Sequence, residues 1–357
     1  MAFELKPLIL APNFNLETPA VLRQATKAHR ALAELKGAAA TIPNESILID
    51  TLSLQEAKDS SEIENIITTE DVLFQGDVFS GQYPSTAAKE VHRYAAALKI
   101  GFKKLRAAQF LRLEDILDVH AALEETRTGL RRLPGTALVN SQSGEVVYEP
   151  PQDPREIEQL MANFLEYFHS DDSQGQDPLI RMAILHYQFE SIHPFYDGNG
   201  RTGRILNLLF LVLHGLLDLP VLYLSRYIVR NKPAYYAGLQ SVRDTEAWEE
   251  WVMYMLRAVE ETAIETLTMV KGIRVLMQNT KHRMRQELPK VYSQELLNNL
   301  FRHPYTKIDF IIRDLSVSRP TAVKYLSDLE RLGFVRKVKL GRTNYYINDE
   351  LFKLLTT

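Results

Sequence analysis

The stretch His193-Pro194-Phe195-Tyr196-Asp197-Gly198-Asn199-Gly200-Arg201-Thr202-Gly203-Arg204 decides how this chain reads. It sets a base, a carboxylate, three glycines and two arginines into one loop and the start of one helix. Gly198 and Gly200 let backbone approach an anion closely, and the helix that follows aims unpaired N–H groups and its positive dipole end at that anion. Arg201 and Arg204 lie three residues apart, so both guanidinium groups reach one side of the helix start. Guanidinium binds phosphate oxygens in a fork. Asp197 stands beside this cradle, where a Mg²⁺ bridging phosphates needs an oxygen ligand. His193 lies at the upstream end, and an imidazole titrating near neutral pH can take a proton from a hydroxyl. An isolated histidine reads better as structural; this one has the company of a phosphate cradle. Together the residues suit gripping a nucleoside triphosphate and deprotonating something beside it.

Working outward, 357 residues are enough for two or three domains. A hydrophobic content of 45% and a charged content of 24% are ordinary for a globular protein with a sizeable core. The absence of cysteine excludes disulfides, thiol catalysis and thiolate metal sites, and it fits a reducing compartment. The start, Met1 to Lys6, lacks a basic segment followed by an apolar run. The most apolar stretch, Ile205 to Leu224, contains Asn207, His214, Asp218 and Pro220, so it reads as a core helix and not a membrane span. A cytoplasmic protein without a membrane segment is the expectation.

Helical periodicity predicts helices at Glu17 to Leu35, Asn44 to Ile67, Ala87 to Ala108 and Leu113 to Glu125. Between Gly129 and Pro151 the pattern changes. Thr136 to Val139 and Glu145 to Tyr148 are β-prone runs around Asn140-Ser141-Gln142-Ser143-Gly144, which predicts a hairpin. Helices resume at Asp153 to Phe168, Pro178 to Glu190, Gly203 to Leu217, Lys232 to Arg243 and Trp248 to Met277.

The last stretch reads as a separate unit. Helices are expected at Ser293 to Arg302, Lys307 to Leu315 and Arg319 to Leu332, the last with Ser318 as cap and Pro320 early. Two strands follow, Phe334 to Leu340 and Thr343 to Ile347, joined at Gly341-Arg342. Three helices and a hairpin in this order predict a winged helix-turn-helix. From Lys290 on there are twelve basic against seven acidic residues; with a chain total of -3, residues 1–289 carry -8. That asymmetry fits nucleic-acid contact. Arg319 and Lys324 on the recognition helix, and Arg336, Lys337, Lys339 and Arg342 on the wing, are the candidates for DNA. The surplus is modest, and dimerisation or target docking fits the unit as well.

The central motif resembles the signature of the Fic family, H-x-F-x-[DE]-G-N-G-R-x-x-R, at every specified position. The approach segment His186 to Ile192 and the downstream segments Leu224 to Ile228 and Asn231 to Tyr236 resemble the same family. The resemblance covers roughly residues 10–260. It implies a mainly α fold: an all-helical core with a β-hairpin flap that docks the target. The expected units are an N-terminal helical region at 1–85, a catalytic domain at 86–284 and the winged domain at 290–357. The implied reaction is transfer of AMP from ATP to a Ser, Thr or Tyr hydroxyl of a protein, with release of pyrophosphate. His193 is then the base, Phe195 the buried anchor and Asp197 the Mg²⁺ ligand. Gly198, Asn199 and Gly200 form the nest for the α- and β-phosphates. Arg201 takes the β-phosphate side and Arg204 the γ-phosphate. Tyr235 and Tyr236 either border the adenine or belong to the core.

Ser60-Ser61-Glu62-Ile63-Glu64-Asn65 matches the family's inhibitory pattern [ST]-x-x-x-E-[GN]. Ser60 and Glu64 stand one helical turn apart and share a face. The resemblance implies that Glu64 pairs with Arg204 and denies the γ-phosphate its partner. Taken alone, Glu64 also reads as a solvated helix acid, and Ser60 and Asn65 as ordinary boundary residues. The same residues serve removal of AMP, transfer from another donor, or a DNA-binding regulator that senses ATP. Self-modification and a homodimer are compatible with the chain, whose target the sequence does not name.

Overall fold

Helix starts in this protein are written as caps. Residues 5–8, 16–76, 83, 85–139, 144–170, 176–340 and 343–356 are described by a computed structural model. Thr18 accepts from the Val21 amide and Pro19 takes the first helical position, opening α1 (Pro19–Ala39). Asn44 caps α2 (Glu45–Ile63) in the same way. A short α3 (Glu70–Gly76) follows where sequence periodicity predicted none. Ser85 caps α4 (Thr86–Ala108), and Asp115 reaches back to the Arg112 amide at the start of α5 (Leu113–Glu124).

The expected hairpin is present but short. β1 (Leu138–Val139) pairs antiparallel with β2 (Val146–Tyr148), and the turn at 140–143 lies outside the described residues. Asp153 and Asp177, each followed by proline, open α6 (Pro154–His169) and α7 (Pro178–Ile192). α8 (Asn199–Leu213) begins four residues earlier than the Gly203 expected, because Gly198 supplies the left-handed cap. α9 (Leu224–Arg230), α10 (Lys232–Thr245) and α11 (Trp248–Glu287) complete the helical body. α11 runs ten residues beyond the expected Met277 and ends just before Pro289.

α7 and α8 form the centre. Every residue from Leu179 to Ile192 is buried, so α7 is walled in on all sides and shows no amphipathic stripe. Trp251 of α11 closes one side, donating from Nε1 to the Ala183 carbonyl at 2.8 Å. α11 lies along α1 and also touches α7, α9 and α10. α2 packs against α4, α8 and α9, which brings its C-terminal end over the first turn of α8.

The C-terminal unit follows with α12 (Gln294–Arg302), β3 (Tyr305–Thr306), α13 (Ile308–Leu315) and α14 (Arg319–Arg331). β4 (Arg336–Leu340), β5 (Thr343–Ile347) and α15 (Asp349–Thr356) complete it. Its sheet has three strands in the order β3-β5-β4, all antiparallel, where the sequence predicted two. This unit packs on the segment that carries Ser60 and Glu64. Arg302 donates to Asp50 of α2, which Lys99 also holds at 2.6 Å. Tyr305 donates to Asp71 of α3 at 2.7 Å, and Phe352 meets Phe74 edge-on at 5.8 Å. None of the described helices is long and apolar enough to cross a membrane.

Candidate active site

The loop between α7 and α8 is held by its own backbone and by several side chains. His193 caps α7 in the left-handed conformation, φ 48°, its amide donating to Phe189 O at 3.0 Å. Phe195 is fully buried and stacks on His120 with ring centroids 3.8 Å apart. Asn199 closes the loop: Oδ1 accepts from the Phe195 amide and Nδ2 donates to the Phe195 carbonyl, both at 2.8 Å. The Asn199 side chain thus holds the shape of the segment expected to form the anion nest. The Asp197 carbonyl lies 3.0 Å from His120 Nε2, and the Tyr196 hydroxyl accepts from the Arg132 and Leu133 amides.

Gly198 is left-handed, φ 70°, where a side chain would be strained, and the Glu124 carboxylate comes close over it. The Asp197 carboxylate is largely exposed beside it and accepts from the Gly198 amide at 2.7 Å. A hard, exposed oxygen donor next to a phosphate cradle suits Mg²⁺. The His193 imidazole is pushed down to about 4, first by burial and then by Arg131, so at neutral pH it is uncharged and able to accept a proton.

Both motif arginines are buried and both are engaged. Arg204 donates from Nε to Ser60 Oγ at 2.7 Å, and from Nη2 to the Ser60 carbonyl at 3.0 Å and to Glu64 Oε1 at 2.8 Å. Arg201 Nε stands 2.7 Å from Glu64 Oε2 as an ion pair, off the axis of a hydrogen bond. Glu64 therefore divides its carboxylate between the two arginines, where the sequence anticipated Arg204 alone. Arg201 also reaches Glu90 at 3.2 Å and Glu124 at 3.0 Å. A Cβ on Gly200 would lie 2.8 Å from both Glu64 Oε1 and Arg204 Nη1, so the carboxylate sits directly over the glycine cradle.

Asn65 ends the Ser60 to Asn65 pattern for a backbone reason. Its amide donates to Glu62 O and the Ile66 amide to Ser61 O, both at 3.0 Å, with Asn65 left-handed at φ 63°. This is the Schellman end of a helix, a position that glycine and asparagine tolerate best. The turn aims Glu64 back at α8, and Lys232 holds Asn65 Oδ1 at 3.1 Å.

Tyr235 is a core residue: it is buried against Trp251 and its hydroxyl lies 2.8 Å from His186 Nε2. Tyr236 stays half exposed. Four residues of the site carried no local pattern and were missed: Arg131, Glu90, Glu124 and Glu190. Glu190 is buried on α7, and burial raises its carboxyl to about 7 against the pull of Arg204.

In the C-terminal unit the basic candidates part ways. Arg336 is held by both oxygens of Asp349, at 2.8 and 2.7 Å, and Arg319 faces Asp309 at 3.4 Å. Lys324, Lys337 and Lys339 are exposed, while Arg342 lies outside the described residues.

Three family profiles match the chain: the Fic/DOC family N-terminal segment over residues 22–103, the Fic/DOC family over 110–211, and the C-terminal domain of SoFic-like protein adenylyltransferases over 276–351. Protein adenylyltransferase fic-1 of Caenorhabditis briggsae is 34% identical over 89 residues, 25% of this chain and 16% of that protein. Protein adenylyltransferase Fic of Drosophila ananassae is 41% identical over 56 residues, 16% of this chain and 11% of that one. The chain thus spans a small part of the length of these relatives. Among solved structures, a Fic family protein from Desulfovibrio desulfuricans G20 superposes with a TM-score of 0.60 at 20% identity, covering 94% of this chain and 98% of its own. Residues 134–508 of Caenorhabditis elegans Fic-1 superpose with a TM-score of 0.53 at 20% identity, over 71% and 74%. At these identities the likeness is one of fold.

Proposed function

Because this chain belongs to the Fic/DOC family, we propose that it transfers AMP from ATP to a hydroxyl group of a protein and that Glu64 holds it in an inhibited state. His193 Nδ1 is buried, which leaves Nε2 to take the proton from the hydroxyl. The freed oxygen forms a bond to the α-phosphorus, the bond from that phosphorus to the bridging oxygen breaks, and pyrophosphate leaves. Asp197 would hold a Mg²⁺ ion, which supplies charge neutralisation at the phosphates when bound. The Gly198–Gly200 backbone and the first turn of α8 cradle the phosphates, and Arg201 and Arg204 take their oxygens as forks. The protein's part is positioning and charge stabilisation.

One observation carries this reading. The Glu64 carboxylate lies against Arg201 and Arg204 at 2.7 and 2.8 Å, over the glycine cradle, where an anionic substrate would have to bind. Intact-mass measurement after incubation with ATP and Mg²⁺ tests it, on the wild type, Glu64→Gly, and Glu64→Gly with His193→Ala. The expected result is an added AMP on Glu64→Gly that His193→Ala abolishes. No adduct on Glu64→Gly, with or without a lysate supplying hydroxyl targets, would sink transfer of AMP. Loss of AMP from a modified protein on adding the wild type would put removal in its place.

A further inference from the structure

Arg131 is a fully buried cation whose partners are carbonyls. Nε donates to the His193 carbonyl at 2.7 Å, and Nη2 to the Ile192 carbonyl at 3.3 Å and to the Pro151 carbonyl. Its own amide donates to the Pro194 carbonyl at 2.8 Å. The Ile192 and His193 carbonyls are at the end of α7, where the helix leaves acceptors unpaired and a positive charge is favoured. Arg131 and Pro151 lie at the two feet of the hairpin β1–β2. One side chain therefore ties both feet to the residue on which the motif turns.

We propose that Arg131 is a positioning residue for the transfer reaction, locking the His193 backbone and the base of the hairpin into one unit so that base and target edge keep a fixed register. The inference rests on the adenylyltransferase reading for its purpose. A left-handed non-glycine residue holds its conformation only when its surroundings impose it. At His193 the α7 end supplies the amide's acceptor, and Arg131 grips the carbonyl on the other side. The misplacement of a reacting group by about 1 Å costs on the order of 10²-fold in rate, so this grip matters to chemistry.

The charge has a second effect. Arg131 is the largest electrostatic contribution after burial that keeps the imidazole low; Arg243 of α10 acts the same way, while the Glu190 carbonyl on α7 and Asp197 on the loop oppose them. Replacing the guanidinium thus loosens the base and moves its titration upward.

The test uses the full chain with isotope-labelled histidine, and His193→Ala assigns the resonance. Arg131→Met and Arg131→Lys are compared with the wild type for His193 titration and for amide exchange at 192–196 and 146–151. Expected in Arg131→Met is a His193 midpoint that climbs from about 4 toward the ordinary imidazole range, with faster exchange in both segments together. In Arg131→Lys, which keeps a cation but not the fork, the midpoint stays low while exchange still rises. That variant carries the test where the methionine protein fails to fold. In the Glu64→Gly background, AMP incorporation falls on the order of 10²-fold with methionine and is partly restored by lysine. A folded variant with unchanged exchange and an unchanged midpoint overturns the proposal. Shifted titration and exchange with no AMP transfer in any variant leaves Arg131 as the lock of this loop and removes the reaction instead.

Discussion

Glu64 grips Arg204 through Nη2, the same nitrogen that donates to the Ser60 carbonyl one turn earlier in α2. All three hydrogen bonds of this guanidinium go to Ser60 and Glu64, at the C-terminal end of α2. Arg201 differs: Glu90 and Glu124 hold it from α4 and α5 whether or not Glu64 is present. Displacing α2 therefore removes all three of these bonds from Arg204, while the Glu90 and Glu124 contacts of Arg201 lie outside α2.

Glu64→Gly should be less stable than the wild type and should gain more from ATP. Removing one partner of a buried ion pair strands the other charge, which costs about 3–5 kcal/mol where both are fully buried. Glu64 is 27% exposed, so a loss of about 2 kcal/mol is expected. Mg²⁺-ATP offers its phosphates to the two arginines that lose the Glu64 carboxylate. Thermal unfolding checks this: ATP should raise the Tm of Glu64→Gly by several degrees and that of the wild type by much less. Equal shifts would mean that Glu64 does not obstruct the cradle.

The C-terminal unit braces α2 and α3, through Arg302 to Asp50 and Tyr305 to Asp71. Loosening that brace should raise activity without touching the site. Arg302→Ala combined with Tyr305→Phe should increase AMP incorporation several-fold, less than Glu64→Gly does, since Lys99 still holds Asp50. Incorporation no higher than wild type in a folded double variant would confine the unit to other tasks.

Much of the site was legible because its residues are neighbours in sequence. The loop, the glycine cap and the two arginines fall within twelve residues, and Ser60 and Glu64 within one turn. What escaped was single residues on distant elements. Glu90, Glu124 and Arg131 have nothing local to mark them, and only packing brings α4, α5 and the hairpin foot to the loop. The second hold of Glu64, on Arg201, appears only once α2 is packed over the first turn of α8. In the fold, the helical runs were read well where periodicity was long. α3 and α15, of seven and eight residues, were too short to show a period. β3 has two residues and exists through its pairing with β5. Arg336 looked like a free basic residue until α15 placed Asp349 against it.

Asn199 should act on the loop before it acts on any ligand. Asn199→Ala removes an acceptor from the Phe195 amide and a donor from its carbonyl, both buried. Each unpaired buried group costs about 1–3 kcal/mol. A fall in Tm of several degrees is expected, together with a drop in transfer in the Glu64→Gly background. Asn199→Asp keeps the acceptor but sets a carboxylate against the Phe195 carbonyl, so it should be at least as damaging. If Asn199→Asp retained full stability, the bond from Asn199 to the Phe195 carbonyl would contribute nothing to the loop.

Two buried carboxyls give stability a pH dependence of definite sign. Glu56 is raised from 4.5 to about 8 by burial, against the lowering effect of its hydrogen bonds from Ser225; Glu190 is raised to about 7. From pH 4.5 up to about 8 for Glu56, and up to about 7 for Glu190, the unfolded chain has lost the proton while the folded chain retains it. The unfolded state therefore binds fewer protons, and stability falls as pH rises across that window, by up to about 1.4 kcal/mol per pH unit for each group. Glu56→Gln removes one of the two titrations and keeps an acceptor for Ser225, whose amide and hydroxyl lie at 3.0 and 2.5 Å. Denaturant unfolding at pH 5, 6, 7 and 8 should show a shallower decline for Glu56→Gln than for the wild type, with the difference widening toward pH 8. Parallel curves would show that Glu56 is ionised in the folded protein, and its burial beside Tyr94 and Ser225 would then need a compensating cation, for which Arg204, whose charge already lowers it, is the candidate.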